Sequence, residues 1–230
     1  MLKDKVVLIT GAKGGLGNYV TQAFLDAQAI VVGTARSIKA EDFPHKNFTA
    51  DPAELGSSDQ AAAVVKRVLD RTGRIDALVH LVGAFAGGPS VAETDDDVLA
   101  RMVNVNLDAF FYMARAVLPV MQKQGSGSVL AIGSRTANEP AAGLGAYSAS
   151  KAALVSLVGT IALEYKSHGI SANVLLPGTM DTPANRAAMP QADVSQWVQP
   201  SQVAAMLVHL ASDAASQVTG AVIPIYGKGL

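Results

Sequence analysis

Residues 5–27, KVVLITGAKGGLGNYVTQAFLDA, decide the fold of this chain. The apolar run KVVLI is typical of a strand that is buried on both faces of a parallel sheet. A glycine-rich turn follows it, and beyond the turn the apolar residues have the spacing of an amphipathic helix. The segment therefore predicts a strand, a tight turn and a helix, which is the opening unit of an α/β fold.

The glycines of this turn have the positions that a bound dinucleotide requires. Gly11 permits the sharp turn, Gly15 lets the backbone approach a pyrophosphate, and Gly17 lets the helix pack closely on the strand. The N-terminus of the helix then faces the phosphate charge. The spacing is T-G-x-x-x-G-x-G rather than the commoner G-x-G-x-x-G, so a plain structural turn is the alternative. The position directly after the first strand favours the dinucleotide.

The rest of the chain alternates apolar runs with helical segments. We predict helices over residues 15–27, 58–72, 96–124, 146–168 and 201–212. The predicted strands are KVVLIT, AIVVGT, NFTA, IDALVHLVG, SVLAIGS, SANVLLPG and AVIPIYG. Right-handed crossovers wind such units into a doubly wound parallel sheet flanked by helices, the Rossmann fold, here with about seven strands. Residues 1–230 are predicted to form one domain.

Composition and charge exclude several classes of function. Half of the 230 residues are apolar, which suits a single α/β core. A net charge of −1 without a basic cluster argues against binding to nucleic acid. There are no cysteines, and the four histidines lack the spacing of metal ligands, so we predict no metal site. We recognise no apolar run near the length of a membrane span and no signal peptide, so we expect a cytoplasmic protein that binds no membrane.

The sequence AYSASKAAL places Tyr147 four residues before Lys151, so a helix would carry both side chains on one face. A unit cation about 5 Å from a phenol contributes about 3 kcal/mol at an effective dielectric constant of about 20. We expect Lys151 to lower the pKa of Tyr147 from about 10 to near physiological pH. Such a phenol can donate a proton to a carbonyl oxygen or accept one from an alcohol.

Tyrosine and lysine at this spacing are also common on helices by chance. The neighbouring sequence GSVLAIGS favours the chemical interpretation, because this strand-like run ends in Ser134. A serine hydroxyl there could donate a hydrogen bond to the same substrate oxygen. Three groups with complementary chemistry are therefore predicted to meet at one point.

In the order of these motifs the chain resembles the single-domain short-chain dehydrogenase/reductases over essentially its whole length. The resemblance rests on TGAKGGLG at residues 10–17, Asn106 in VNVNLDAFF, Ser134, Tyr147, Lys151, and Pro177-Gly178 followed by Thr182. It implies Tyr147 as acid/base, Lys151 as its electrostatic partner and ribose ligand, and Ser134 as oxyanion donor. Asn106 would hold a proton-relay water, and Thr182 would contact the nicotinamide carboxamide.

Two segments depart from the pattern of that family. His80-Leu81-Val82-Gly83 stands where the family usually has Asn-Asn-Ala-Gly, and only the final glycine is kept. His80 either replaces one hydrogen bond of an asparagine or is a core histidine, and we assign it no catalytic role. The chain ends in IPIYGKGL where the family often has an Asp-Gly-Gly ending, which we expect to alter the rim of the site.

Cofactor preference is expected to be set at the end of the second strand, in GTARS. An acidic residue there would accept a hydrogen bond from a ribose 2'-hydroxyl, whereas Ala35 followed by Arg36 favours a 2'-phosphate. We therefore expect NADP(H) rather than NAD(H), with Lys13 as a second cation; an ordinary solvated arginine is the alternative for Arg36. Asp51, after NFTA, resembles the family's adenine contact. The predicted cofactor-binding residues are Gly11, Lys13, Gly15, Leu16, Gly17, Arg36, Asp51, Gly83, Tyr147, Lys151, Pro177, Gly178 and Thr182.

Substrate recognition is expected between Pro183 and Pro200, in a segment without a clear strand or helix pattern that we interpret as a lid. Met189 and Trp197 could supply its apolar walls or merely anchor it. The sequence DTPANRAAMPQADVSQW, together with GAFAGG at residues 83–88, is similar to dihydropteridine reductases. Those enzymes generally prefer NADH, with an acidic residue after the second strand, and lack a serine at the position of Ser134.

We therefore expect a carbonyl or 3-oxoacyl reductase that transfers hydride between NADPH and a small carbonyl or alcohol substrate. A quinonoid dihydropteridine is the alternative substrate. A non-catalytic NADP(H)-binding sensor is the alternative from a different class, and the intact set of Tyr147, Lys151, Ser134 and Asn106 argues against it. The helices predicted over residues 96–124 and 146–168 have broad apolar faces, so we expect a homotetramer or homodimer.

Overall fold

The computed structural model describes residues 2–228, and in these residues the chain forms one sheet of seven strands. The strands are β1 (Val6–Thr10), β2 (Ile30–Ala35), β3 (Phe48–Pro52), β4 (Ala77–His80), β5 (Gly127–Ile132), β6 (Ile170–Pro177) and β7 (Val222–Ile225). Their order is β3-β2-β1-β4-β5-β6-β7, and every neighbouring pair is parallel. The predicted doubly wound sheet is confirmed. Gly229 and Leu230, at the end of the IPIYGKGL segment, lie outside the described residues.

Helices cover both faces of this sheet. The α-helices within residues 2–228 are α1 (Gly17–Asp26), α2 (Ser58–Thr72), α3 (Asp96–Val103), α4 (Ala109–Gln124), α5 (Gly145–Tyr165), α6 (Pro183–Ala188) and α7 (Pro200–Leu210). On one face, α2, α4 and α5 contribute Val64, Phe110 and Leu154 to a buried apolar layer. On the other face, α1 and α7 contribute Phe24 and Leu207. Because both faces are covered, the central strands are continuous apolar runs.

The single helix predicted over residues 96–124 is interrupted. A π-helical segment, Asn104–Asp108, separates α3 from α4. Such a segment accommodates an extra residue within a helix, which the spacing of apolar residues does not reveal, and it is frequent at functional sites. Here it carries Asn106, which is completely buried.

The lid predicted as irregular, residues 183–200, contains short regular structure. Thr182 caps α6, because its hydroxyl oxygen accepts a hydrogen bond from the Asn185 backbone N–H at 3.3 Å. A 3-10 turn follows at Val194–Gln196. The helix is too short to show a periodic pattern. Its start could nevertheless have been found, since a threonine N-cap followed by proline is a recognised start signal.

The strand order reverses between β1 and β4, and this reversal opens a crevice at the carboxyl ends of the strands. β1 ends at Thr10, directly before the glycine turn, and β4 ends at His80. β5 ends just before Ser134, and β6 ends at Pro177. The motifs found in the sequence therefore share one edge of the sheet.

One helix contradicts the prediction that no apolar run has the length of a membrane span. The helical stretch Gly145–His168, which comprises α5 and its extension, has 24 residues and is apolar enough to cross a membrane by length and composition. In the fold it packs beside β6 and buries Leu154, Val158 and Ile161. Contact with the core is an ordinary reason for an apolar helix.

Candidate active site

The glycine turn after β1 is shaped by contacts that leave no room for side chains. Gly11 has a φ of +70°, in the left-handed region that favours glycine, and a Cβ added there would lie 3.2 Å from the Leu81 carbonyl carbon. A Cβ at Gly17 would overlap the Gly11 carbonyl oxygen. These contacts agree with the predicted roles of the two glycines in the sharp turn and in close packing.

Next to the turn lies a cradle of backbone donors. No hydrogen bond within residues 2–228 uses the N–H groups of Gly15 or Leu16. A Cβ at Gly15 would lie 3.4 Å from the Thr182 side chain, so glycine keeps the space between α1 and the start of α6 open. Because free N–H groups at a helix N-terminus bind phosphate, this cradle fits the pyrophosphate of a dinucleotide.

The region predicted to bind a 2'-phosphate contains two cations, one without an ion-pair partner among the described residues and one with. Arg36 is exposed, and no hydrogen bond or ion pair joins it to another of residues 2–228. Lys13 forms an ion pair with Asp42 at 2.8 Å and donates to the Ser37 carbonyl oxygen at 3.2 Å. The hydrogen bond from Lys13, and then that from the Lys39 backbone, lower the pKa of Asp42. The charge of Lys13 is therefore matched by a carboxylate that sequence reasoning missed.

Asp51, the predicted adenine contact, is buried at β3 and already engaged. Arg67 of α2 donates to both of its carboxylate oxygens, from Nε and from Nη2, at 2.7 Å each. Such a bidentate pair fixes the carboxylate and matches its charge. An adenine contact by Asp51 stays a prediction, and it would have to share the carboxylate with Arg67.

The structure brings Ser134, Tyr147 and Lys151 together at the crevice. The Ser134 hydroxyl lies close to the Tyr147 phenol, and it is 3.0 Å from the Thr136 hydroxyl. Lys151 is 4% exposed, and its Nζ donates to the Ile132 carbonyl oxygen at 2.9 Å. The serine and the tyrosine can therefore act on one substrate oxygen, while the lysine ammonium lies in the wall behind them.

The expected effect of Lys151 on Tyr147 is wrong for this arrangement. Burial raises the pKa of Tyr147 above its usual value, and the hydrogen bond with Ser134 only partly offsets this rise. Burial also lowers the pKa of Lys151 to about 8. Spacing along a helix says which face two side chains share, but not how much water each loses, and here desolvation is the larger effect.

Asn106 has a more specific arrangement than the sequence predicted. Its Oδ1 accepts from the Ala84 backbone N–H at 2.9 Å, and its Nδ2 donates to the Ala84 carbonyl oxygen and to Ser150 Oγ, both at 3.0 Å. Ser150 in turn donates to the Tyr147 carbonyl oxygen at 2.7 Å. The amide thus joins the segment after β4 to α5. That Asn106 holds a relay water stays a prediction.

The same junction explains why Gly83 is kept. A Cβ at Gly83 would lie 3.0 Å from Asn106 Oδ1 and 3.2 Å from Lys151 Nζ. Both distances are tighter than ordinary van der Waals contact, so a side chain would displace either the amide or the ammonium. Gly83 therefore keeps the space beside two of the predicted site residues.

His80 combines the two alternatives that the sequence left open. Its Nδ1 lies 3.0 Å from the Thr10 hydroxyl, which joins β4 to β1, and its ring packs edge-on against Phe110. Nε2 is buried without a hydrogen-bond partner among residues 2–228. Burial, and secondarily the charge of Lys151, lower the pKa of His80 to about 3. It is a neutral core histidine that also bridges two strands.

The lid packs against residues 225–228. Trp197 lies half-buried in the lid, whereas Met189 is exposed. The Lys228 backbone N–H donates to the Gln196 carbonyl oxygen at 3.1 Å, so the C-terminal segment packs on the lid. Between them lies a cavity of about 510 Å³, lined by Ser195, Trp197, Gln199, Gln202, Ile225, Tyr226, Gly227 and Lys228.

The remaining predicted cofactor residues, Pro177 and Gly178, lie at the end of β6. A Cβ at Gly178 would lie 3.0 Å from the Tyr226 carbonyl oxygen, so this glycine allows the C-terminal segment to approach β6. The contact concerns packing, and a role of the pair in cofactor binding stays a prediction. Among the residues that the structure describes, no group of three or more potential metal ligands is found.

Comparison with known proteins identifies relatives over the whole chain. The family profile described as short chain dehydrogenase matches residues 5–193. The 3-oxoacyl-[acyl-carrier-protein] reductase FabG of Thermotoga maritima is 34% identical, and the match covers 98% of each chain. The 2,3-dihydro-2,3-dihydroxybenzoate dehydrogenase of Escherichia coli is 30% identical, over 94% of this chain and 92% of that protein.

A solved structure supports the fold independently. The structure described as ElxO with NADP bound has a TM-score of 0.92 and covers 97% of this chain and 98% of its own. At 24% identity this likeness concerns the fold alone.

Proposed function

The chain belongs to the short-chain dehydrogenase/reductase family of NAD(P)-dependent oxidoreductases, and we propose that it uses NADP(H) to reduce a carbonyl or oxidise an alcohol, as a carbonyl or 3-oxoacyl reductase. One observation carries the proposal. Ser134, Tyr147 and Lys151 lie at the same edge of the sheet as the backbone donors of Gly15 and Leu16. A proton donor next to a dinucleotide cradle is what carbonyl reduction needs.

When bound, a reduced nicotinamide would supply the hydride that reduction of a carbonyl requires. Ser134 donates a hydrogen bond to the carbonyl oxygen as negative charge develops on it. Tyr147 gives its hydroxyl proton to that oxygen, so the carbonyl becomes an alcohol and the phenol becomes a phenolate. At neutral pH the Tyr147 phenol is protonated, so its proton is available to the substrate oxygen, and its raised pKa makes it a weaker acid than a solvent-exposed phenol.

Lys151 and the cradle complete the assignment. Below its pKa of about 8, Lys151 is an ammonium that favours the phenolate left by proton transfer. The N–H groups of Gly15 and Leu16 would hold the pyrophosphate, and Thr182 would contact the carboxamide of the nicotinamide. Asn106 would hold a proton-relay water, while its amide fixes the position of the neighbouring segment through Ala84.

The preference for NADP(H) rests on Arg36. Its guanidinium is exposed at the end of β2 and has no partner among residues 2–228, so it is available to a 2'-phosphate. Lys13 contributes less than an unpaired lysine would, because Asp42 matches its charge.

Two other functions remain as alternatives. The resemblance of the lid and of the GAFAGG segment makes a dihydropteridine reductase-like enzyme the first alternative, and within GAFAGG the ring of Phe85 lies beside Tyr147. A non-catalytic NADP(H)-binding sensor would not need Ser134, Tyr147 and Lys151 together. The named relatives do not choose a substrate, because one is a 3-oxoacyl reductase and another a dehydrogenase of a cyclic diol.

The test is the oxidation of NADPH and of NADH, followed in parallel by absorbance. The panel holds a 3-oxoacyl thioester, simple ketones and aldehydes, diketones and quinonoid dihydropteridine. NADPH-dependent turnover of a carbonyl compound supports the proposal, and turnover of the dihydropteridine alone favours the alternative enzyme. A strong preference for NADH contradicts the assignment of Arg36. Binding of NADPH without any turnover favours the sensor.

We also propose that residues 1–230 form one cytoplasmic domain that assembles as a homotetramer or homodimer. Phe111 of α4 and Leu163 of α5 are 42% and 70% exposed, and a subunit contact would cover them. Light scattering tests this proposal, and a monomer would contradict it.

A further inference from the structure

Phe85 is an exposed aromatic residue that lies beside the proposed proton donor. Its side chain is 65% exposed, although large aromatic side chains are usually buried. The ring centroids of Phe85 and Tyr147 are 5.0 Å apart, and the planes meet at 67° in an edge-to-face arrangement. One part of the Phe85 ring therefore contacts Tyr147, while the rest is exposed and accessible to a ligand.

The backbone that carries Phe85 is held from both sides. On one side, the Asn106 side chain makes two hydrogen bonds with the backbone of Ala84, at 2.9 and 3.0 Å. On the other side, the Gly88 N–H donates to the Gly143 carbonyl oxygen at 2.9 Å, just before α5. These bonds link the segment to the two helical elements that carry the site, so the position of Phe85 follows that of Tyr147.

Glycine is also needed next to the ring. A Cβ at Gly87 would lie 3.2 Å from Phe85 Cζ and would overlap the Leu144 side chain. The absence of a side chain at Gly87 thus lets the Phe85 ring fold back over the segment. The backbone of Phe85 is fixed and its ring has space beside Gly87, so the ring loses little conformational entropy when a ligand packs on it.

We propose that Phe85 is a specificity-determining residue, and that it selects carbonyl compounds in which a flat unsaturated ring is attached directly to the carbonyl carbon. This inference rests on the proposed function, since it assumes that a carbonyl oxygen binds Tyr147 and Ser134. The group attached to that carbonyl then lies within reach of the Phe85 ring. A flat ring can pack on it in an offset or edge-to-face geometry, whereas a flexible chain must be ordered first.

Three ketones with eight carbon atoms each provide the test: acetophenone, cyclohexyl methyl ketone and 2-octanone. The first two differ mainly in the unsaturation of the ring, and the third has no ring. We define the ring preference as kcat/KM for acetophenone divided by kcat/KM for cyclohexyl methyl ketone, with NADPH as cofactor. Comparing this ratio between variants cancels the intrinsic reactivities of the two ketones.

Phe85→Leu keeps an apolar side chain and removes the aromatic ring. We expect it to lower the ring preference about two- to tenfold, the range of an aromatic pair interaction. Phe85→Tyr should keep the preference. The control is Leu99→Ala, which shortens an exposed apolar side chain on α3, and it should leave the preference unchanged. An equal ratio in the wild type and in Phe85→Leu overturns the inference, and NADPH-dependent turnover in that experiment leaves the proposed function intact.

A binding measurement judges the inference even if none of the ketones is turned over. The protein saturated with NADP⁺ is titrated calorimetrically with 1-phenylethanol and with 1-cyclohexylethanol. Tighter binding of 1-phenylethanol that is lost in Phe85→Leu and kept in Phe85→Tyr supports the aromatic subsite. Equal affinities for the two alcohols in the wild type overturn it. Absence of NADPH-dependent turnover across the wider carbonyl panel counts against the proposed function alone.

Discussion

The two walls of the crevice are built by different means. The cofactor wall is formed by Gly11, Gly15, Leu16 and Gly17. Backbone atoms of neighbouring residues lie where Gly11 and Gly17 would otherwise carry a side chain. The substrate wall is formed by the side chains of Phe85, Asn106, Ser134 and Tyr147. These side chains contact one another and the neighbouring backbone through hydrogen bonds and ring contacts. The cofactor wall should therefore be sensitive to added atoms, and the substrate wall to lost polar or aromatic groups.

The largest expected effect is that of Tyr147→Phe, which removes only a hydroxyl group from the substrate wall. Turnover should fall about 10²–10⁴-fold, the contribution of a positioned acid/base. NADPH affinity should stay nearly intact, because Tyr147 loses only its hydroxyl and the cofactor wall is untouched. Steady-state NADPH oxidation and a fluorescence titration of NADPH measure the two quantities. Unchanged turnover would remove Tyr147 from the mechanism, and an equal loss of affinity would show that the walls are one unit.

Gly17→Ala adds one methyl group to the cofactor wall. Because that carbon would overlap the Gly11 carbonyl oxygen, we expect a loss of about 1–3 kcal/mol in the free energy of unfolding, together with weaker NADPH binding. Urea unfolding and NADPH titration measure these effects. The control is Gly159→Ala in α5, where nothing lies within 4 Å of the added carbon. It should leave stability equal or higher, and a similar loss in both variants would contradict the steric explanation.

His80 is buried at the end of β4 and is hydrogen-bonded to Thr10 of β1. Its burial predicts that the stability of the fold depends on pH. The unfolded chain binds a proton at this histidine below about pH 6.5, whereas in the folded chain burial holds the pKa at about 3. Stability should therefore fall as the pH drops through this window, by about 2 kcal/mol between pH 7 and pH 5 from His80 alone. Urea unfolding at the two pH values should show this loss in the wild type and not in His80→Asn. Equal losses in both would assign the acid sensitivity elsewhere.

The smallest expected effect lies beside the cofactor wall, at Asp42. Asp42→Asn releases Lys13 from its ion pair, so the affinity for NADPH should rise about two- to fivefold, as expected for an exposed charge pair. The affinity for NADH should not change, because NADH has no 2'-phosphate. Arg36→Ala is the opposing control and should weaken NADPH binding selectively. A parallel change for both cofactors in Asp42→Asn would exclude a contact between Lys13 and the 2'-phosphate.

The cofactor wall could be predicted from the sequence because its requirements are local. Gly11, Gly15 and Gly17 lie within one turn, and the strand and helix around them have clear apolar patterns. The sheet order likewise follows from alternating strands and helices with right-handed crossovers. The sequence was less informative for the helix over residues 96–124, because the extra residue of a π-helical segment leaves no mark in composition.

The substrate wall depends on contacts between residues far apart in the chain. The sequence indicates Asn106 as a site residue but not its partner Ala84, because Ala84 forms the contact through its backbone and its side chain has no polar group. The sequence GAFAGG contains Phe85 but indicates no role for it, because only the fold shows that its ring lies beside Tyr147. The pKa of Tyr147 was predicted in the wrong direction, because spacing reveals a neighbouring charge but not the loss of water.

The π-helical segment Asn104–Asp108 also changes the angle at which the side chains of α3 project relative to those of α4. An α-helix turns about 100° per residue, so one extra residue rotates everything before it relative to everything after it by that angle. Deleting a single residue from this segment would restore regular helical bonding while turning Asn106 away from Ala84 or Met102 away from the core. Two neighbouring helices are thus kept out of register so that a single amide can bind both Ala84 and Ser150.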